Sequence, residues 1–195
     1  TSVNGTDVTE IIRGINGKTF DNNTETYKTI QYVTCHDNYT LYDRISAAGH
    51  TNEADIKKMA MLANSVVFTS QGIGFMLAGE EFLRTKGGDH NSYQSPYEVN
   101  ELDYALKVKN YDMFENYQKL IELKQNGNIL GNKACGGVTV NKNANGSLIW
   151  YDLKDASTGK TYRIVHSNGV AGEKTVDLYG FTLYLDTLNS GVKLT

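Results

Sequence analysis

Apolar positions fall into two rhythms along the first part of the chain. Ile30, Tyr32 and Val33 are strand formers, and their run stops at His36, Asp37 and Asn38. Ile56, Met59, Ala60, Ala63, Val66 and Val67 recur at helical spacing, which predicts a helix with one apolar stripe. Thr51 is placed to cap it, Glu53 and Asp55 suit its positive end, and Gly72 breaks it. Ile73 and Phe75 to Ala78 then form an apolar run, as expected of a strand covered on both faces. That strand ends at Gly79, Glu80, Glu81 and, further on, Arg84. Strand, helix, strand, with both strands ending in charged groups, predicts a βαβ unit with a site at the C-terminal strand ends.

Shorter elements surround this unit. Thr6 to Arg13 reads as a helix with Ile11 and Ile12 turned inward and Gly14 ending it. Gly17 to Thr29 reads as a loop, and Tyr39 to Ile45 as a short helix. Lys86 to Lys109 is a long polar loop, of a length that is usually functional. Asn110 caps a third helix with Met113, Phe114, Tyr117, Leu120 and Ile121 on one face, and Asn126-Gly127 stops it.

After Gly131 the helical rhythm disappears. Val138 to Val140, Leu148 to Leu153, Tyr162 to Val165, Thr175 to Leu178 and Thr182 to Leu185 read as short strands. Asn145-Gly146, Ser157 to Gly159 and Asn168-Gly169 separate them as turns. The expectation is two parts: an α/β portion over 1–128 and an antiparallel β-sandwich over 129–195.

Composition narrows the function classes. The chain has 195 residues, 39% of them hydrophobic and 21% charged, enough for a buried core. A net charge of -3 makes no case for nucleic acid or an acidic membrane surface. No apolar run approaches a membrane span. The opening stretch TSVNGTDVTE has no basic region followed by an apolar one. Cys35 and Cys135 make no disulfide framework, and Cys35 reads as a small buried hydrophobe. His36, His50, His90 and His166 lack ligand spacing, so no zinc site is expected; His90 and His166 read as surface residues, His50 as a loop residue. No loop has calcium-ligand spacing either. Thirteen tyrosines, many beside Asn, Asp and Ser, suit either sugar faces or strands.

Three stretches resemble one family in the same order. YVTCHDNYTLYDRI (32–45) is similar to the seventh-strand segment of pullulanases, starch-debranching members of the α-amylase superfamily of glycoside hydrolases. GIGFMLAGEEFLRTK (72–86) resembles their eighth-strand segment. GGDHNSYQSPYEVNELDY (87–104) resembles the loop that follows, with Tyr104 where many relatives have Trp. The resemblance implies the last two βα units of a (β/α)₈ TIM barrel followed by a C-terminal antiparallel β-sandwich. A whole barrel needs roughly 250 residues. The chain is therefore expected to be the C-terminal part of a larger enzyme, inactive alone and completed by an N-terminal remainder.

The same resemblance implies a chemistry. Retaining glycosidases use a nucleophile and an acid/base carboxylate about 5–5.5 Å apart. Both are expected outside this chain. Asp37 matches a third carboxylate, a transition-state stabiliser that holds the sugar hydroxyls. His36 would donate to the same sugar, and Asn38 with Tyr39 would border the next subsite. Asn91, Tyr93 and Asn100 would meet more distant glucose units. The implied partners are α-glucans (pullulan, amylopectin, branched maltooligosaccharides), with no required cofactor and an extracellular or cell-surface location; calcium is possible without a recognisable site. Glu80 and Glu81 stand at a strand end but point apart, so one is expected to be structural, hydrogen-bonded or paired with Arg84, and the other partly solvated. The rival expectation is a non-catalytic glucan-binding module, against which stands the lone Trp150.

Overall fold

The computed structural model describes residues 8–18, 28–126, 138–144, 146, 148–154, 161–167, 181–187 and 190–194. The predicted strand at 175–178, the turns at 157–159 and 168–169, and Cys135 lie outside them.

Strands β1 (Ile30–Gln31) and β2 (Ile73–Gly74) pair in parallel, Ile30 beside Ile73 and Gln31 beside Gly74. Between them run α2 (Leu41–Ala47) and α3 (Glu53–Thr69), so the predicted strand-helix-strand order is present. The ladder is much shorter than the predicted strands. Its last bond runs from the Phe75 amide to the Gln31 carbonyl, 2.9 Å. Thr40, not Tyr39, opens α2, and its Oγ1 accepts from the Asp43 amide. Asn52, not Thr51, caps α3: its Oδ1 accepts from the amides of Ala54 and Asp55.

The pair has two unlike faces. Gly74 is turned toward Phe68 of α3, where an added Cβ would stand 3.4 Å from the ring. On the other face Ile30, Tyr32, Ile73 and Phe75 keep 57%, 55%, 39% and 43% of their surface exposed. The expectation of a strand buried on both faces is thus corrected. Helices cover one side, and no described element covers the other.

Helix α1 spans Thr9–Ile15, so Gly14 lies within it rather than ending it. After β2, a single 3₁₀ turn covers Glu80–Phe82. The segment 86–109 is structured: it holds a 3₁₀ turn at Ser92–Gln94, α4 (Tyr97–Asn100) and α5 (Ala105–Lys109). Then α6 (Tyr111–Asn126) buries Met113, Tyr117 and Leu120 against α2 and α3.

Strands β3 (Asn141–Lys142), β4 (Leu148–Lys154), β5 (Thr161–Ser167), β6 (Phe181–Thr187) and β7 (Ser190–Leu194) form one antiparallel sheet in sequence order. Val138 to Val140 precedes β3 instead of forming a strand. Alternation along β4 sends Ile149, Tyr151 and Leu153 to one face, joined by Ile164 and His166 of β5. This face meets Val8, Ile11, Ile12 and Ile15 of the α1 region and Val66 of α3. A second core, from Leu41, Ile45, Ile56, Met61, Phe68 and Leu83, lies between α2, α3 and α6. Packing by both cores explains why α3 buries more than one stripe, with Asn64, Ser65 and Thr69 among its buried residues.

His166 is therefore not a surface residue. It is 4% exposed, with Nε2 3.2 Å from Thr69 Oγ1. Cys35 is half-buried and free, more open than predicted.

Candidate active site

Beyond Gln31 the chain leaves the ladder and bends through 36–38. Asn38 takes φ 65, a left-handed conformation that its short polar side chain tolerates. The bend presents His36 and Asp37 outward, their side chains 84% and 72% exposed and Nε2 3.5 Å from Oδ2.

The bend faces a cleft of about 220 Å³ that His36 and Asp37 share with Asn91, Tyr93 and Asn100. Leu77, Arg84, Lys86, His90 and Ser92 complete its lining. Five of the seven predicted site residues thus meet at one place. Asn38 and Tyr39 do not line it. Tyr39 is half-buried, its ring 5.6 Å from that of His90 and with the Arg44 guanidinium 5.8 Å from its centre. A larger hollow of about 570 Å³ beside Thr29 to Tyr32 contains none of the predicted residues.

The loop side of the cleft is built from its own polar groups. Ser95 Oγ and the Asn91 amide both donate to Asp89, and these bonds hold its carboxyl below the usual range. Asn100 accepts from Ser92 Oγ at 2.9 Å and donates to the Ser92 carbonyl at 2.7 Å. Its amide group thus closes the turn that carries Tyr93, which is 76% exposed.

Arg84 reaches across the cleft wall. It donates to the carbonyls of Ala78 and Asn100, so the alternative of an Arg84 pair with Glu80 or Glu81 is not what forms. The carboxylates lie in a 3₁₀ turn, not on a strand. Glu81 accepts from the Gly79 amide at 2.8 Å. Glu80 is 3% exposed, and neither carboxyl oxygen has a well-formed hydrogen bond. Burial pushes it up to about 8, and the nearby Asn64 side chain offsets only part of that. Burial thus favours its neutral form, and it does not line the cleft with Asp37.

Two further residues had escaped the sequence reading. Asp43 is buried and accepts from Thr40 Oγ1, Thr85 Oγ1 and the Lys86 amide. Lys86, 7% exposed, donates through Nζ to the His36 carbonyl at 3.0 Å. The Thr40-x-x-Asp43 pattern resembles a capping box and could have marked Asp43. Nothing local marked Lys86. Among the described residues no group of three His, Cys, Asp or Glu side chains could hold a metal ion, and no helix is long and apolar enough to cross a membrane.

A parallel strand pair thus ends at an imidazole and a carboxylate, beside a cleft walled by amides and an exposed tyrosine, which is where α/β folds commonly place a binding or active site. Similar proteins and solved structures include several pullulanases. The chain is 34% identical to the pullulanase of Bacillus subtilis (strain 168) over 102 residues, which are 52% of this chain and 14% of that protein. It superposes on the pullulanase from Bacillus acidopullulyticus with TM-score 0.72 and 33% identity, over 85% of this chain and 21% of that one. A pullulanase complexed with maltotetraose, from Anoxybacillus sp. LM18-11, gives TM-score 0.70 and 32% identity over 83% and 24%. No family model matches. The chain is pullulanase-like, and its small share of each relative fits a C-terminal part of such an enzyme.

Proposed function

We propose that this chain supplies the last two βα units of a (β/α)₈ TIM barrel, 1–128, and a C-terminal β-sandwich, 129–195, of a retaining glycoside hydrolase. The enzyme cleaves α-1,6-glucosidic linkages in pullulan, amylopectin or related α-glucans. The observation that carries this reading is the placement of His36 and Asp37 side by side in a cleft at the end of a parallel strand pair. The bare face of Ile30, Tyr32, Ile73 and Phe75 supports it, because the inner face of a barrel is filled by side chains from the other strands.

Asp37 stabilises the positively charged transition state, and His36 donates to the same sugar. Asn91, Tyr93 and Asn100 face more distant glucose units, and Asn38 with Tyr39 borders the neighbouring subsite. The nucleophile and acid/base come from the N-terminal remainder, so the chain alone is inactive. The reaction needs no cofactor. Its polymeric substrate fits an extracellular or cell-surface enzyme.

Co-expression of this chain with the preceding part of the barrel, assayed on pullulan, tests the reading. Hydrolysis is expected, and Asp37→Asn should lower kcat by roughly 10²–10³-fold, the usual loss when one transition-state contact is removed. Unchanged turnover in Asp37→Asn sinks the assigned role. Retardation on amylopectin gels with no hydrolysis in the co-expressed pair points instead to a glucan-binding module.

A further inference from the structure

The segment that carries His36 and Asp37 makes few hydrogen bonds to the rest of the described chain, although the Tyr39 ring beside it packs near His90 and Arg44. Among the described residues, no backbone-to-backbone hydrogen bond involves residues 32–39. The ladder releases the chain after Gln31, and α2 takes it up again at Thr40. Among the described residues, one hydrogen bond from outside reaches the bend: the Lys86 ammonium on the His36 carbonyl, 3.0 Å.

Lysine normally keeps its head in water. Lys86 is 7% exposed and places its ammonium on a neutral carbonyl, where a charge-assisted bond is stronger than an ordinary one. Its backbone is fixed at the other end, because its amide donates to Asp43 Oδ2 at 2.8 Å. The same carboxylate is bound by Thr40 and Thr85, from α2 and from the segment after β2. Three segments distant in sequence are thus linked in series: the start of α2, the segment following β2, and the bend that ends β1.

We propose that Lys86, seated by Asp43, is a positioning residue that pins the otherwise unbonded 36–38 bend and so holds His36 and Asp37 toward the cleft. The assignment rests on the reading of that cleft as the glucan site. The pinning can be tested apart from it, by backbone ¹⁵N relaxation on the full chain and on the Lys86→Met, Lys86→Arg and Asp43→Asn variants. Met keeps the stem and removes the donor, so the fold should survive. The expected result is a fall in the order parameters of Asp37 and Asn38 from about 0.85 to below about 0.6, with Ile45 and Ile56 unchanged. Lys86→Arg, which retains a charged donor, should restore much of the order. Asp43→Asn should loosen the same bend; if it also melts α2, Lys86→Met alone decides.

Unchanged order at Asp37 and Asn38 in Lys86→Met overturns the proposal, as does a bend already loose in the parent chain. The glucan reading fails separately, if Asp37→Asn leaves pullulan hydrolysis by the co-expressed pair intact. In that co-expressed pair Lys86→Met should lower kcat several-fold with KM little changed, because a loosened Asp37 weakens the transition state more than the bound sugar.

Discussion

Thr69 Oγ1 and His166 Nε2 stand 3.2 Å apart, joining the last residue of α3 to β5. The Thr69 hydroxyl donates its one proton to the Ser65 carbonyl at 2.6 Å, which leaves its oxygen to accept. Tyr151 OH also reaches Thr69, 2.9 Å from both its carbonyl and its Oγ1. This assignment puts the imidazole proton on Nε2 and makes His166 a neutral donor.

Burial pushes His166 down to about 3 from an ordinary 6.5. Between those values the unfolded chain binds a proton that the folded chain refuses. Stability therefore falls as pH drops through that window, by at most about 1.4 kcal/mol per pH unit. His166→Leu should flatten the profile between pH 3 and 6.5. Urea midpoints at pH 4 and pH 7 check this, and a variant that keeps the parent's acid slope contradicts it.

Glu80 predicts the opposite slope. Its carboxyl is raised from 4.5 to about 8, first by burial, so between those values the folded chain keeps a proton that the unfolded chain loses. Stability should fall as pH rises through that window. Glu80→Gln keeps the neutral shape and removes the titration. It should leave stability nearly unchanged near pH 4 and raise it increasingly toward pH 8. The measurement is again a series of urea midpoints, in which equal parent and variant slopes above pH 5 would contradict the burial argument. Ionised Glu80 would also face Glu81 and the phenol of Tyr117, which burial and these two carboxylates already push up.

These two groups mark the limit of what the sequence could reveal. Periodicity located α3, α6, the strand order and the polar bend at 36–38, because those patterns are local. It read His166 as exposed because the β5 alternation does not say which sheet face finds α3. It read residues 73–78 as covered on both faces because an apolar run does not say what covers it. The placement of the His36-Asp37 pair just past a strand end was legible. Its support was not, since Lys86 lies 50 positions away and no motif links it to His36. Asn100 was read as a sugar contact, and the structure shows its side chain engaged in closing the loop on Ser92.

Gly79 should be intolerant of a side chain. Its φ is 98, and a Cβ there would stand 2.7 Å from Arg84 Cβ and Cδ. Arg84 cannot retreat freely, because it is bonded to Ala78 and Asn100. Gly79→Ala is expected to destabilise the chain by about 1–3 kcal/mol, the range for a residue held in a sparsely populated backbone region. A urea midpoint unchanged from the parent would mean that Arg84 moves aside without penalty.

Tyr93 should affect binding and little else. Its ring is 76% exposed beside the cleft, so it can offer a flat apolar face to a glucose ring while its hydroxyl stays in water. A contact of this kind is made equally in the bound sugar and in the transition state. Tyr93→Ala in the co-expressed enzyme should therefore raise KM for pullulan by about three- to tenfold, up to ~1.4 kcal/mol, and leave kcat unchanged. Asp37→Asn should show the converse, a large loss in kcat with a small change in KM. If Tyr93→Ala lowers kcat instead, the ring acts on the transition state. If it changes neither constant, the exposed ring is no part of the sugar path and the loop segment at 91–93 has been assigned the wrong role.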